Sequence, residues 1–155
     1  MVKIDFKTDT WLYALIAVIL IIISIFTPWG SQELLGVTYY SWMGGSVTYA
    51  GDPADAWVAA NPTGLSLWTF GITMLSLGIL LVLGIQSMKG KELKWDWLIY
   101  LVLGLALLIF PILALALESV SGGVIGFAPI GIIISGVVLI IAFVMDKIVG
   151  PRSAA

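Results

Sequence analysis

Residues 95–117 read WDWLIYLVLGLALLIFPILALAL. Asp96 is the single ionisable acid or base in the run, at its second position, and from Trp97 to Leu117 no side chain is charged. At about 1.5 Å per residue such a run makes a helix of roughly 34 Å, enough to cross a hydrocarbon core about 30 Å thick. It is apolar all round, so no face of it suits water. The stretch predicts a transmembrane helix, and three others repeat it: 11–28, 65–88 and 124–145. Each is near or above the roughly 20 apolar residues that a crossing requires.

Four such spans in one chain predict an all-α transmembrane fold, a four-helix bundle in a single domain covering 1–155. The outer loop occupies 29–64, and a tail, 150–155, lies outside the fold. Composition points the same way: 61% of residues are hydrophobic, 10% are charged and the mean hydropathy is +1.13. Soluble domains run near one half apolar and about one quarter charged, so an aqueous domain is excluded. Lys3 and Lys7 ahead of the first span resemble the basic flank of a signal peptide. That span, however, is longer than a signal core and ends in Phe26-Thr27-Pro28-Trp29 rather than a small-residue cleavage site, so it reads as a retained helix.

Four crossings put every base, Lys3, Lys7, Lys89, Lys91, Lys94, Lys147 and Arg152, on the side of the two termini. The other side carries Glu33, Asp52, Asp55 and Glu118 and no base. By the positive-inside rule both termini are cytoplasmic, and the expectation is a multi-pass plasma-membrane protein. Trp11, Tyr13, Trp95, Trp97 and Tyr100 then fall near the inner interface and Trp29, Trp68 and Phe127 near the outer one, where amphipathic rings are favoured.

The same composition narrows the chemistry. There is no cysteine and no histidine, which removes disulfides, thiolate nucleophiles, cysteine-held clusters and the usual imidazole ligands and general base. No nucleophile–base pattern or glycine-rich phosphate loop is present, and Gly122-Gly123 reads as a turn. No catalysis, cofactor or metal is expected. A net charge of −2 leaves no basic surplus for a nucleic-acid backbone. The span interiors hold no charge, whereas proton relays and ion-coupled pumps need an intramembrane ionisable group.

Within the spans, small residues recur at helical spacing: Ala14, Ala17 and Ser24; Thr69, Thr73 and Ser76; Gly104 and Pro111; Ala128, Gly131, Ser135 and Ala142. In lipid, helices associate through close backbone approach and hydroxyl contacts, so Ala17, Ser24, Thr73, Ser76, Gly104, Gly131 and Ser135 are expected to be packing residues. The hydroxyl strip Thr69/Thr73/Ser76 could alternatively line a pore, and Pro111 should bend the third span.

The outer loop is too apolar for a disordered linker. Leu34–Met43 and Ser46–Ala50 flank Gly44-Gly45, which suits a two-residue hairpin turn. Counting outward pairs Trp42 with Val47 and Tyr40 with Tyr49 on one aromatic face, and Ser41 with Thr48 and Tyr39 with Ala50 on the other. A short helix should follow, with Asp52 as N-cap, Pro53 at its first position, Asp55 in its first turn, Trp57 on an apolar side and Asn61-Pro62 as the stop. Tyr40, Trp42, Val47, Tyr49 and Trp57 are the expected interaction residues. Asn61-Pro62-Thr63 is not a glycosylation acceptor, because proline occupies its middle position. Glu118 stands at the C-terminal end of the third span, where the helix dipole disfavours an anion; it is hydrated, protonated or bound to a cation, the last two being roles that Glu33 could share.

Four spans with both ends inside, a β-structured first outer loop opening on Trp29-Gly30, a shorter second outer loop and a proline in the third span resemble the claudin and peripheral-myelin-protein group of tetraspan proteins. Tyr40-Ser41-Trp42 stands where that group carries Gly-Leu-Trp, and its paired cysteines are absent. The resemblance implies lateral assembly of outer loops in an adhesive or paracellular role, with the packing of Tyr40, Trp42 and Tyr49 taking the place of a disulfide.

The residues therefore lead to a non-catalytic membrane protein that self-assembles through small-residue seams and an aromatic outer hairpin, with the lipid bilayer and further copies as partners. The alternatives are an accessory subunit among other membrane subunits, and a cation-preferring channel fronted by Glu33, Asp52, Asp55 and Glu118.

Overall fold

The computed structural model describes residues 5, 9–43, 46–49, 58–59, 64–91, 93–117 and 123–149. Four helices dominate them: α1 (Trp11–Ile25), α2 (Gly64–Met88), α3 (Asp96–Leu117) and α4 (Phe127–Val144), the last running into a π-helical turn at Met145–Val149. Three, α2, α3 and α4 with its added turn, are long and apolar enough to cross a membrane. α1 is shorter, at 15 residues or about 22 Å. It stops at Phe26 because Pro28 has no N–H to donate and disfavours helical backbone in the residue before it.

Packing follows chain order. α1 lies against α2, α2 against α3, α3 against α4, and α4 closes the ring on α1, with α4 the most extensively packed. This is an up-and-down arrangement in which α2–α3 and α3–α4 are joined by short connections and α1–α2 by the long segment 26–63. The core holds Ala14, Ala17 and Ile21 of α1, Leu80 of α2, Leu107 of α3 and Ile132, Leu139 and Ala142 of α4. α3 continues unbroken through Pro111, which is buried. At its far end α2 closes in a Schellman motif: Gly90 takes φ +73°, its N–H donates to the Ser87 carbonyl at 2.9 Å, and the Lys91 N–H donates to the Gln86 carbonyl at 3.0 Å.

The other end of the bundle carries a five-stranded antiparallel sheet built from β1 (Gly30–Leu34), β2 (Val37–Ser41), β3 (Ser46–Tyr49), β4 (Val58–Ala59) and β5 (Val124–Ile125), in the order β4-β3-β2-β1-β5. The sheet is larger than the expected hairpin and its register differs. β1 and β2 join through Leu35-Gly36, both at positive φ (53° and 78°), closed by the Leu34↔Val37 pair. This is the geometry of a mirror-type two-residue turn. The sequence conceals it, because leucine is a poor resident of that conformation.

Across the Gly44-Gly45 connection, Tyr39 pairs with Tyr49, Tyr40 with Thr48 and Ser41 with Val47. The expected pairs, Tyr40 with Tyr49 and Trp42 with Val47, are each displaced by one residue. Met43 accounts for the shift: it is buried in the bundle core, so the chain leaves β2 after Ser41 and the connection lengthens. A one-residue displacement reassigns every residue of one strand to the other face. The single aromatic face gathering Tyr40, Trp42, Val47 and Tyr49 therefore does not form. Val58 and Ala59, expected in a helix, instead pair as β4 with Val47 and Ser46; Asp52, Pro53, Asp55 and Trp57 lie outside the described residues, as does the tail 150–155.

The fourth span is also corrected at its start. Val124 and Ile125 are a strand and α4 begins at Phe127. The chain leaving α1 captures them: the Gly126 N–H donates to the Trp29 carbonyl at 2.9 Å and the Ala128 N–H to the Pro28 carbonyl at 3.2 Å. Gly126 permits this approach, since a Cβ there would run into the Pro28 carbonyl.

Candidate association surfaces

Small residues from both helices line the α1–α4 and α3–α4 contacts. Ser135 is fully buried; its hydroxyl donates to the Gly131 carbonyl one turn back at 2.8 Å and lies 3.4 Å from the Ala17 carbonyl of α1. One turn away, Gly131 faces Ser24, and a Cβ on it would run into the Ser24 hydroxyl and approach the Phe127 ring at 2.9 Å. The Ser24 hydroxyl itself donates to the Leu20 carbonyl at 2.8 Å, which satisfies it within α1. Ala17, Ser24, Gly131 and Ser135 thus form one contact between α1 and α4.

On the other side of α4, Gly104 of α3 meets Gly136. A Cβ on Gly104 would stand 3.1 Å from the Gly136 carbonyl oxygen and 2.9 Å from Ile140, and a Cβ on Gly136 would stand 2.9 Å from the Gly104 carbonyl oxygen. Each glycine leaves room for the other's backbone. Gly136 was not singled out in the sequence; its spacing from Gly104's partners is visible only once α3 and α4 are paired.

Thr69, Thr73 and Ser76 of α2 are all buried, with the Thr73 hydroxyl donating to the Thr69 carbonyl at 2.7 Å. Ser76 Oγ is enclosed and makes no hydrogen bond. The interaction residues of the outer loop are separated by the register described above: Tyr40 and Trp42 are half-buried, Val47 and Tyr49 lie in β3 opposite Ser41 and Tyr39, and Trp57 lies outside the described residues. Glu33 is exposed on β1 opposite Thr38, and Glu118 lies outside the described residues. Among the described residues no group of three or more acidic side chains is placed to hold a metal ion.

Two glycines have no counterpart inside the bundle. Gly71 and Gly78, two turns apart on α2, both face outward, and a Cβ on either would meet nothing within 4 Å among the described residues. Gly71 is the floor of an apolar groove walled by Leu67, Trp68, Ile72 and Leu75, with Trp68 and Leu75 each more than 60% exposed. The only sequence signal for this feature is the seven-residue spacing of two glycines inside an apolar run. Neither protein-family models nor curated proteins provide a match to this chain.

Proposed function

We propose that the protein is a non-catalytic, multi-pass plasma-membrane protein whose role is to associate laterally with further copies of itself, using the outward face of α2. In this reading α1 crosses with the other three helices, both termini and the α2–α3 connection are cytoplasmic, and the sheet lies outside. The described bases Lys89, Lys91, Lys94 and Lys147 lie at one end and the exteriors of all four helices are apolar, which supports that orientation.

The observation that carries the association is the contrast in how small residues are used. Ala17, Ser24, Gly104, Gly131, Gly136 and Ser135 are occupied inside the bundle and are not free for a partner. Gly71 and Gly78 each cost helix stability of about 0.5–1 kcal/mol relative to alanine, and nothing among the described residues approaches them. In lipid an outward glycine pair on one helical face is useful where a second backbone comes close. The sheet, through the half-buried Tyr40 and Trp42, gives a smaller contribution outside the membrane.

The experiment is native mass spectrometry of the protein released gently from its own membrane, on the wild type and on a Gly71→Leu/Gly78→Leu variant. Leucine at both positions has open space, so the helical fold is retained, as circular dichroism would verify. A homo-oligomer that the variant reduces to single chains is the expected result. Identical stoichiometry in both proteins would refute the α2 interface. Other polypeptides in fixed ratio would replace self-association with the accessory-subunit reading, and cation flux into reconstituted liposomes would replace it with the channel.

A further inference from the structure

At the end of the bundle opposite the sheet, the connection between α2 and α3 is short and held from both sides. The Schellman motif at Gly90 fixes its start, and on the α3 side the Leu93 N–H donates to Asp96 Oδ2 at 3.2 Å. Lys89, Lys91 and Lys94 are exposed on this connection. A fourth base comes from the turn that follows α4: the Lys147 ammonium lies 4.5 Å from the centroid of the Trp97 ring, which itself packs on Phe143 at a centroid distance of 6.2 Å. That cation–π contact holds Lys147 beside the start of α3.

The acids at the start of α3 and in the turn after α4 are less available. Asp96 is only 6% exposed and is turned toward the Leu93 N–H, and Asp146 is half-buried. Glu92 is the remaining acid of the connection by sequence. Asp5, exposed, and Asp9, half-buried, lie ahead of α1 at the same end, so it is on the α2–α3 connection itself that the charge presented outward by the described residues is basic. Directly beside it are exposed apolar side chains: Met88, Leu93, Trp95 and Ile148 are each 50% exposed or more. Ammonium groups bordered by apolar side chains match an amphiphile whose head is anionic and whose body is hydrocarbon. A soluble phosphate would use only half of that surface. At the sheet end the pattern reverses, with Glu33 exposed and no base among the described residues.

We infer that the α2–α3 connection, with Lys89, Lys91 and Lys94 flanked by Trp95 and by Lys147, is a binding site for the headgroups of anionic phospholipids in the cytoplasmic leaflet. The inference rests on the membrane orientation proposed above and is independent of self-association. A lysine near an anionic surface contributes roughly a fivefold gain in binding, and the capped connection presents three of them without a large ordering cost.

The test uses the full-length protein in micelles doped with equal amounts of phosphatidylglycerol and phosphatidylcholine, counting lipids retained per chain by native mass spectrometry. Wild type should retain the anionic lipid about tenfold or more over the zwitterionic one, and the preference should fall toward parity in Lys89→Gln/Lys91→Gln/Lys94→Gln. Lys3→Gln/Lys7→Gln, which removes the two bases that precede α1 in the sequence and are not part of the connection, should keep it. Equal retention of both lipids by wild type, an undiminished preference in the triple variant, or an equal loss in the Lys3/Lys7 variant would each overturn the site. Millimolar inorganic phosphate should not displace the lipid; displacement would assign the lysines to a soluble anion instead. The number of protein chains is read from the same spectra, so failure of self-association and failure of the lipid site are told apart.

Discussion

The two sides of the bundle use the same residue type in opposite ways. Along α4, glycine is a steric necessity: Gly131 lies against Ser24 and Gly136 against Gly104, each with too little space for one more carbon. Along α2, Gly71 and Gly78 open onto nothing among the described residues. Glycine content alone therefore says little about where helices meet. What matters in lipid is whether a second backbone arrives, because no hydrophobic drive holds helices together there and close contact has to do it.

The comparison is most severely broken at Gly131. Gly131→Leu should destabilise the protein by about 3 kcal/mol or more, since the new side chain has to displace Ser24 or Phe127 in a packed interior. Thermal unfolding in detergent followed by circular dichroism measures it, and a variant as stable as wild type would mean that α1 and α4 are not closely packed. The same readout sharpens the other side. Gly71→Ala/Gly78→Ala should stabilise the isolated chain by about 1 kcal/mol in total or slightly more, because both positions are open and alanine is the better helix former. Destabilisation by that pair would show that the α2 face is occupied within the chain. The smallest effect is expected for Ser135→Ala, which removes the hydroxyl shared between Gly131 and Ala17; about 0.6 kcal/mol of stability should be lost, in keeping with hydrogen bonds between membrane helices.

Much of the bundle was legible because the signals are local. Apolar runs mark where a helix can be buried in lipid, and the 3/4/7 spacing of Ala17, Ser24, Gly131 and Ser135 places them on single helix faces without reference to any partner. The outer region was less legible. Leu35 does not announce the turn it occupies, and the burial of Met43, which draws the chain out of β2 and shifts its pairing with β3, depends on the bundle beneath. Val124 and Ile125 continue an apolar run and read as helix, yet β1 recruits them as an edge strand across nearly one hundred residues of chain. Gly71 and Gly78 were passed over because an outward glycine and an inward one look the same in a sequence.

By itself the amino-acid sequence determined that the chain is mostly apolar helix, that Lys89, Lys91 and Lys94 share one connection between apolar runs, and that these residues offer no thiol or imidazole. These follow from composition and from properties of single segments: the cost of desolvating charge, the length of an apolar run, the residue types present. Only the tertiary structure decided the order and register of the five strands, the junction of the two loops at the sheet end, and which glycines are enclosed and which are open. Those properties belong to pairs of segments distant in sequence, where a displacement of one residue or of a few tenths of an ångström changes which atoms meet.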